Sequence, residues 1–331
     1  MSDGGTDEAA VLAHVLDRLG SSVLRNVSLA PMCTYKVGGA AAGYVDVVDV
    51  GTLETVREAL VGIDRSSIPI LLVGRGSNLL VSDSGFAGLV LRLGSSFDEV
   101  TIDVDEQRVI AGGAALLPVV ARKTAAAGLA GFEWAVGVPG SIGGAVKMNA
   151  GGHGADMAAT LVLVSSFDLF DGGPIQRSAG ELHLAYRSSS LAPSEMVLSV
   201  ELQLRSGDRA ASEAEISEIV RWRRTNQPGG QNAGSVFTNP TGDSAGRLID
   251  EAGLKGLRIG TAEVSTKHAN FIQADPNGRA DDVVAVIREV QRRVRETFGI
   301  ELHPENVLVG FPADQSIATH RNENPDAGGG T

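Results

Sequence analysis

Ile68-Pro69-Ile70-Leu71-Leu72-Val73-Gly74-Arg75-Gly76-Ser77-Asn78 is the stretch on which the fold turns. An apolar, β-branched run feeds a turn with two bare glycines, the pattern of a strand that ends abruptly. Such a turn exposes backbone N–H groups, so it serves either as a cradle for a pyrophosphate or as an ordinary tight hairpin. A Rossmann dinucleotide site would need a third glycine where Leu79 stands, and the chain has no Gly-Lys-Ser/Thr P-loop. The fingerprint therefore fails, and both readings of the turn stay open.

Working outward, the flanking sequence reads as strands over Tyr44 to Val48, Leu89 to Leu93, Val100 to Val104 and Val109 to Ala111, after a short helix near residues 8 to 20. Residues 114–128 are Ala-rich and stop at Gly128, which predicts a helix. A second glycine-rich stretch follows, Gly137-Val138-Pro139-Gly140-Ser141-Ile142-Gly143-Gly144-Ala145-Val146-Lys147-Met148-Asn149-Ala150-Gly151-Gly152. So many glycines make a poor helix and a poor strand. They suit a wall that a flat ligand approaches closely, or a buried loop under a helix. Two such stretches point to one shared nucleotide-type ligand, because sites draw on several converging loops.

Between Val197 and Leu204 the alternation is strict, with Val200, Leu202 and Leu204 on one face and Ser199, Glu201 and Gln203 on the other. That is a half-buried strand. Residues 213–226 read as a helix, strands are expected around Ser235 and Phe237, and Val283, Ile287, Val290, Val294 and Phe298 recur at helical spacing up to Gly299. The expected organisation is a tail and helix (1–29), a first domain (30–207), a linker helix (208–230), a second domain (231–312) and a disordered tail (313–331), without internal repeats.

A net charge of −12 argues against a nucleic-acid partner, since phosphate contacts need clustered cations. The single Cys33 allows no internal disulfide, and His14, His153, His183, His268, His303 and His320 lack metal-ligand spacing, so no metal is expected. Residues 1–7 have no basic start or apolar core of a signal peptide, and no apolar run reaches the ~18 residues of a membrane span. A cytoplasmic location follows. Arg221, Arg223 and Arg224 form either an anion site or a solvated helix face. Ser235, in Ala233-Gly234-Ser235-Val236-Phe237, reads locally as a turn or capping residue.

Taken together, these stretches resemble the UDP-N-acetylenolpyruvoylglucosamine reductase (UDP-N-acetylmuramate dehydrogenase) family in its shorter subtype. The resemblance runs through TYKVGG (34–39), GRGSNLLVSDSGFAGLV (74–90), GVPGSIGGAVKMNAG (137–151), YRSS (186–189), RRTNQP (223–228), AGSVFTNP (233–240), IDEAGLKGLRIG (249–260) and KHANFI (267–272). It is collinear from about residue 30 to 310.

The resemblance implies an α+β fold, with a two-lobed FAD-binding module of the vanillyl-alcohol-oxidase (PCMH) type followed by a small α+β substrate-binding domain. It implies bound FAD and NADPH as co-substrate. The pyrophosphate would lie on Gly74, Arg75, Gly76, Ser77 and Asn78, and the isoalloxazine against Pro139, Gly140, Ser141, Ile142, Gly143 and Gly144. The implied reaction reduces UDP-N-acetylglucosamine enolpyruvate to UDP-N-acetylmuramate for peptidoglycan synthesis. Arg187 would polarise the carboxylate, Ser235 would donate a proton, and Glu305 would be its acidic partner. Tyr186, Arg223, Arg224, Asn239, Lys267 and His268 would meet the UDP-sugar. A monomer is expected, with no membrane partner.

Five positions depart from the common family pattern: Cys33 for Asn, His153 for Tyr, Thr238 for Lys, and Gln231-Asn232 for Pro-Ser. A paralogous flavin oxidoreductase with another substrate, or a non-catalytic nucleotide-sugar binder, is the alternative.

Overall fold

The computed structural model describes residues 4–311; the segment 313–331 and His320 lie outside the described residues. The chain divides into two compact units that interleave in sequence. The first comprises residues up to Met32, Gly39–Ser77 and Gly85–Asn226; the second comprises Cys33–Gly38, Asn78–Ser84 and the chain from Gln227 onward.

Among the described residues, the first unit holds two larger sheets besides two short two-stranded pairs. In one, Leu24–Ser28 pairs antiparallel with Ala40–Val47, which runs parallel to Phe86–Leu93, itself parallel to Ile70–Leu72. Helices Gly4–Leu19 and Val50–Leu60 cover it, the first starting earlier than the expected residue 8. Asp49 caps the second by accepting from the Thr52 N–H at 2.8 Å.

The other sheet is antiparallel, in the order Gly172–Ser178, Leu161–Asp168, Glu195–Gln203, Arg108–Gly112 and Val100–Asp103. The alternation expected for its central strand is observed. Val200, Leu202 and Leu204 are buried, and Gln203 is exposed. Met196 and Leu198 pack with the first sheet's core, whereas Val197, Val200 and Leu202 pack with helix Leu117–Ala126 and with Ile216 and Ile219. The strand feeds two hydrophobic cores because its alternation changes phase at Leu198, where the register shifts between the Ser165–Ser199 and Ser166–Val197 pairs, and each buried Val or Leu contributes roughly 1.5–3 kcal/mol. Helix Arg209–Asn226 supplies Ile216 and Ile219 and is therefore part of the first unit.

The second unit has a three-stranded antiparallel sheet, Arg258–Ile259, Ala262–Val264 and Ile272–Ala274, packed on helix Ala280–Phe298. That helix buries Val283, Ile287, Val290 and Val294, and Gly299 at φ 70° ends it. Its first N–H groups are met from far away in sequence: Asp83 accepts from Ala280 at 2.9 Å and from Asp281 at 3.2 Å. Leu79–Val81 pairs in parallel with Val307–Val309. The fold class is α+β, as the resemblance implied.

No strand forms at Ser235 or Phe237, contrary to the sequence expectation. Phe237 makes only an isolated bridge to Pro304. The reason is that the Asn270 side chain takes the place of a neighbouring strand: its Oδ1 accepts from the Phe237 N–H and its Nδ2 donates to the Phe237 carbonyl, both at 2.9 Å. The stretch 137–152 also differs from its reading, because Ile142–Lys147 is a short helix. Packing overrides propensity here, with Gly143 set against the Gly113 carbonyl and Val197.

Candidate active site

The two glycine-rich stretches meet within the first unit. A Cβ on Gly74 would lie 2.5 Å from the Ser141 Oγ, and one on Gly140 would lie 3.5 Å from the Ser77 Oγ. Contact at 2.5 Å leaves no room for any side chain at position 74 while Ser141 keeps its place. Gly76 adopts φ 59°, which turns the chain between Arg75 and Ser77. Ile142 is buried, and its N–H donates to the Ala115 carbonyl at 2.9 Å, while that of Gly143 donates to the Gly113 carbonyl at 2.8 Å. Pro139 and Gly144 flank these contacts in the sequence. The wall is thereby tied to the segment that follows strand Arg108–Gly112. Asn78, at the far end of the first stretch, belongs to the second unit.

Tyr186 and Arg187 occupy the tip of a tight turn in the first unit. Ala185 and Ser188 exchange both backbone hydrogen bonds at 3.1 Å, and Arg187 has φ 55°. The Arg187 guanidinium lies over the exposed Tyr186 ring, 5.1 Å from its centroid. Arg223, on the helix Arg209–Asn226, is half-buried, and that burial lowers its pKa; Arg224 is exposed.

In the second unit, Ser235 and Glu305 stand on adjacent backbones. The Glu305 N–H donates to the Val236 carbonyl at 2.7 Å, and the Thr238 N–H donates to the His303 carbonyl at 2.9 Å. Residues 235–238 thus run beside 303–305. Asn239 accepts from the Ala245 N–H at 3.1 Å, at the start of helix Ala245–Glu251. Lys267 is exposed, whereas the neighbouring His268 is half-buried and packs edge-on against Phe271 at 4.7 Å. Burial and then the Lys255 charge lower the His268 pKa below the ordinary histidine value.

Three asparagines that sequence reasoning did not credit with this work hold the candidate residues. Asn270 holds Phe237, and the Val236 N–H donates to its carbonyl at 2.9 Å. Asn78 donates to the Glu305 carbonyl at 2.8 Å and accepts from the Asn306 Nδ2 at 3.0 Å. Asn149 donates to the Ala185 carbonyl at 3.2 Å. A polar residue inside an otherwise apolar or glycine-rich motif was the available signal.

Among the described residues, no group of three His, Cys, Asp or Glu side chains is placed to hold a metal ion, and no helix is long and apolar enough to cross a membrane. Cys33 is buried, which pushes its thiol up to about 11 against the opposing Lys36 charge.

Two known families match separate parts of this chain. Residues 46–173 match the FAD binding domain family, and residues 225–309 match the UDP-N-acetylenolpyruvoylglucosamine reductase C-terminal domain. The UDP-N-acetylenolpyruvoylglucosamine reductase of Synechococcus sp. (strain RCC307) is 43% identical over 302 residues, covering 89% of this chain and 96% of that protein. The reductase of Heliobacterium modesticaldum is 44% identical over 290 residues, 85% of this chain and 89% of the relative. The crystal structure of the Thermus caldophilus reductase (MurB) superposes with a TM-score of 0.73 at 38% identity, covering 87% of this chain and 98% of that one. The chain belongs to the UDP-N-acetylenolpyruvoylglucosamine reductase family.

Proposed function

We propose that this protein reduces UDP-N-acetylglucosamine enolpyruvate to UDP-N-acetylmuramate with NADPH and FAD, a step of peptidoglycan precursor synthesis in the cytoplasm. The observation that supports the reading is the 2.7 Å bond from the Glu305 N–H to the Val236 carbonyl, which runs the backbone of Glu305 beside that of the segment carrying Ser235. It occurs in a chain that matches reductases over nearly their whole length.

The residues fit FAD. Gly74 to Ser77 and Pro139 to Gly144 form two backbone walls so close at Gly74 that a methyl group would strike Ser141. Bare backbone suits a pyrophosphate on the first wall and a flat ring on the second. FAD held there would supply hydride transfer between NADPH and C3 of the enolpyruvyl group.

The protein's own groups handle the charge and the proton. Hydride addition at C3 leaves negative charge on C2 and the carboxylate, and the Arg187 guanidinium polarises that carboxylate and stabilises the enolate. The Ser235 hydroxyl supplies the proton to C2, with Glu305 as its acidic partner. A serine hydroxyl is a weak acid, so this transfer needs close approach and exclusion of water. Tyr186, Arg223, Arg224, Asn239, Lys267 and His268 serve the UDP-sugar end. The protein acts as a monomer.

Anaerobic stopped-flow on FAD-loaded protein tests this. NADPH should bleach the flavin, and added UDP-N-acetylglucosamine enolpyruvate should restore its absorbance with formation of UDP-N-acetylmuramate. Flavin that is bleached by NADPH but not restored by this substrate would overturn the substrate assignment and favour an oxidoreductase with another acceptor.

A further inference from the structure

We infer that Asn149 is a positioning residue for Arg187, aiming its guanidinium at the substrate carboxylate; the inference rests on the role of Arg187 proposed above. Arg187 is a non-glycine residue at φ 55°, a conformation that persists only where the surroundings impose it. The two bonds between Ala185 and Ser188 close the turn, yet they say nothing about where the turn points.

Asn149 supplies the missing constraint. It is buried, and every arm of its carboxamide is used: Nδ2 donates to the Ala185 carbonyl at 3.2 Å and to the Asp156 Oδ2 at 3.1 Å, while Oδ1 accepts from the Ala158 N–H at 3.0 Å. The Ala185 carbonyl therefore accepts twice, once from Ser188 inside the turn and once from Asn149 outside it. Asn149 itself sits at φ 38°, which asparagine tolerates better than most residues.

A second brace runs in parallel. The Ser189 hydroxyl donates to the Lys147 carbonyl at 2.8 Å, and the Lys147 ammonium reaches back to the carbonyls of Leu191 and Ala192. Lys147 ends the short helix that begins beside Ser141. One six-residue helix thus carries the glycine-rich wall at one end and fixes the arginine turn at the other.

The test uses Asn149→Asp, which keeps the bond from Ala158 but sets a carboxylate oxygen against the Ala185 carbonyl and Asp156. Asn149→Gly, which suits the positive φ, guards against a folding defect. Both variants should keep FAD and the wild-type rate of flavin reduction by NADPH. Reoxidation by the enolpyruvyl substrate should slow about 10- to 100-fold, the scale of a 1 Å misplacement.

Equilibrium binding gives a readout independent of turnover. The variants should bind UDP-N-acetylglucosamine, which lacks the carboxylate, as wild type does, and bind the enolpyruvyl ether more weakly. In Arg187→Ala protein, adding Asn149→Asp should cause no further slowing, because the two residues act as one unit.

Equal losses for both ligands, additive effects with Arg187→Ala, or loss of FAD from both variants would place Asn149 in the general fold and overturn the inference. Failure of wild-type protein to be reoxidised would instead overturn the substrate assignment, which is a separate result.

Discussion

Asn78 and Glu305 are joined by a hydrogen bond from the Asn78 Nδ2 to the Glu305 carbonyl at 2.8 Å, across 227 residues of sequence. The Val307 N–H returns a bond to the Asn78 carbonyl at 2.9 Å, and Asn306 adds another to the Asn78 Oδ1 at 3.0 Å. The end of the GRGSN stretch is thus also the anchor of the segment that carries the proposed acid.

Asn78→Ala should strip the Glu305 carbonyl and the Asn306 amide of their partners while sparing the backbone bond. Leaving such part-buried groups unpaired costs about 1–3 kcal/mol. A lower urea midpoint, together with slower reoxidation of reduced flavin by substrate, is the expected result. An unchanged midpoint would show that water replaces the carboxamide without loss.

Ser235→Ala should retain FAD and the NADPH reaction but slow reduction of the enolpyruvyl group about 10²- to 10³-fold, the effect of deleting one preorganised donor. Single-turnover kinetics separates the two half-reactions. Wild-type reoxidation in this variant would remove Ser235 from proton donation.

Gly74→Ala should force the Ser141 hydroxyl aside, because the new Cβ would lie 2.5 Å from it. Retention of FAD on dilution should fall about tenfold, or about 1.4 kcal/mol. Adding Ser141→Ala removes the colliding oxygen, and the remaining Cβ at 3.7 Å is an ordinary contact. The double variant should recover most of the FAD binding, whereas a double variant worse than Gly74→Ala would count against the steric account.

Asp168 gives the first unit a pH dependence. Burial works against its charge, but the N–H groups of Asp171 and Phe170, the Ser194 hydroxyl and the Arg65 guanidinium together outweigh it, and the carboxyl titrates below its ordinary 3.8. A folded-state pKa below the unfolded one adds stability that is complete above about pH 4 and is lost as pH falls through the lowered value. Wild-type protein should lose thermal stability below about pH 4 more steeply than Asp168→Asn. Parallel curves for the two would assign the acid sensitivity to other carboxylates.

The legible parts of this fold were those set by local period. Val200, Leu202 and Leu204 announced a strand, and Val283 to Val294 announced a helix, because burial repeats at the period of the backbone. The convergence of the two glycine-rich stretches was also readable, since bare backbone near an apolar center implies close approach. The rest depended on partners distant in sequence. The absence of a strand at Phe237 follows from the Asn270 carboxamide, and the aim of Arg187 follows from Asn149; neither leaves a periodic trace. The interleaved units were hidden for a similar reason, because TYKVG looks like a lead-in to the first domain although Tyr35 and Val37 are buried in the core of the second.

That interleaving fixes the order in which the protein can be completed on the ribosome. Cys33–Gly38 and Asn78–Ser84 emerge early, but Val307–Val309, the strand that pairs with Leu79–Val81, comes near the end. At ordinary translation speeds of about 5–20 residues per second, Leu79–Val81 waits roughly ten to forty-five seconds for its partner. During that interval an unpaired apolar strand edge is exposed on the nascent chain, and Ser82, Asp83 and Ser84 follow it at once as polar gatekeepers.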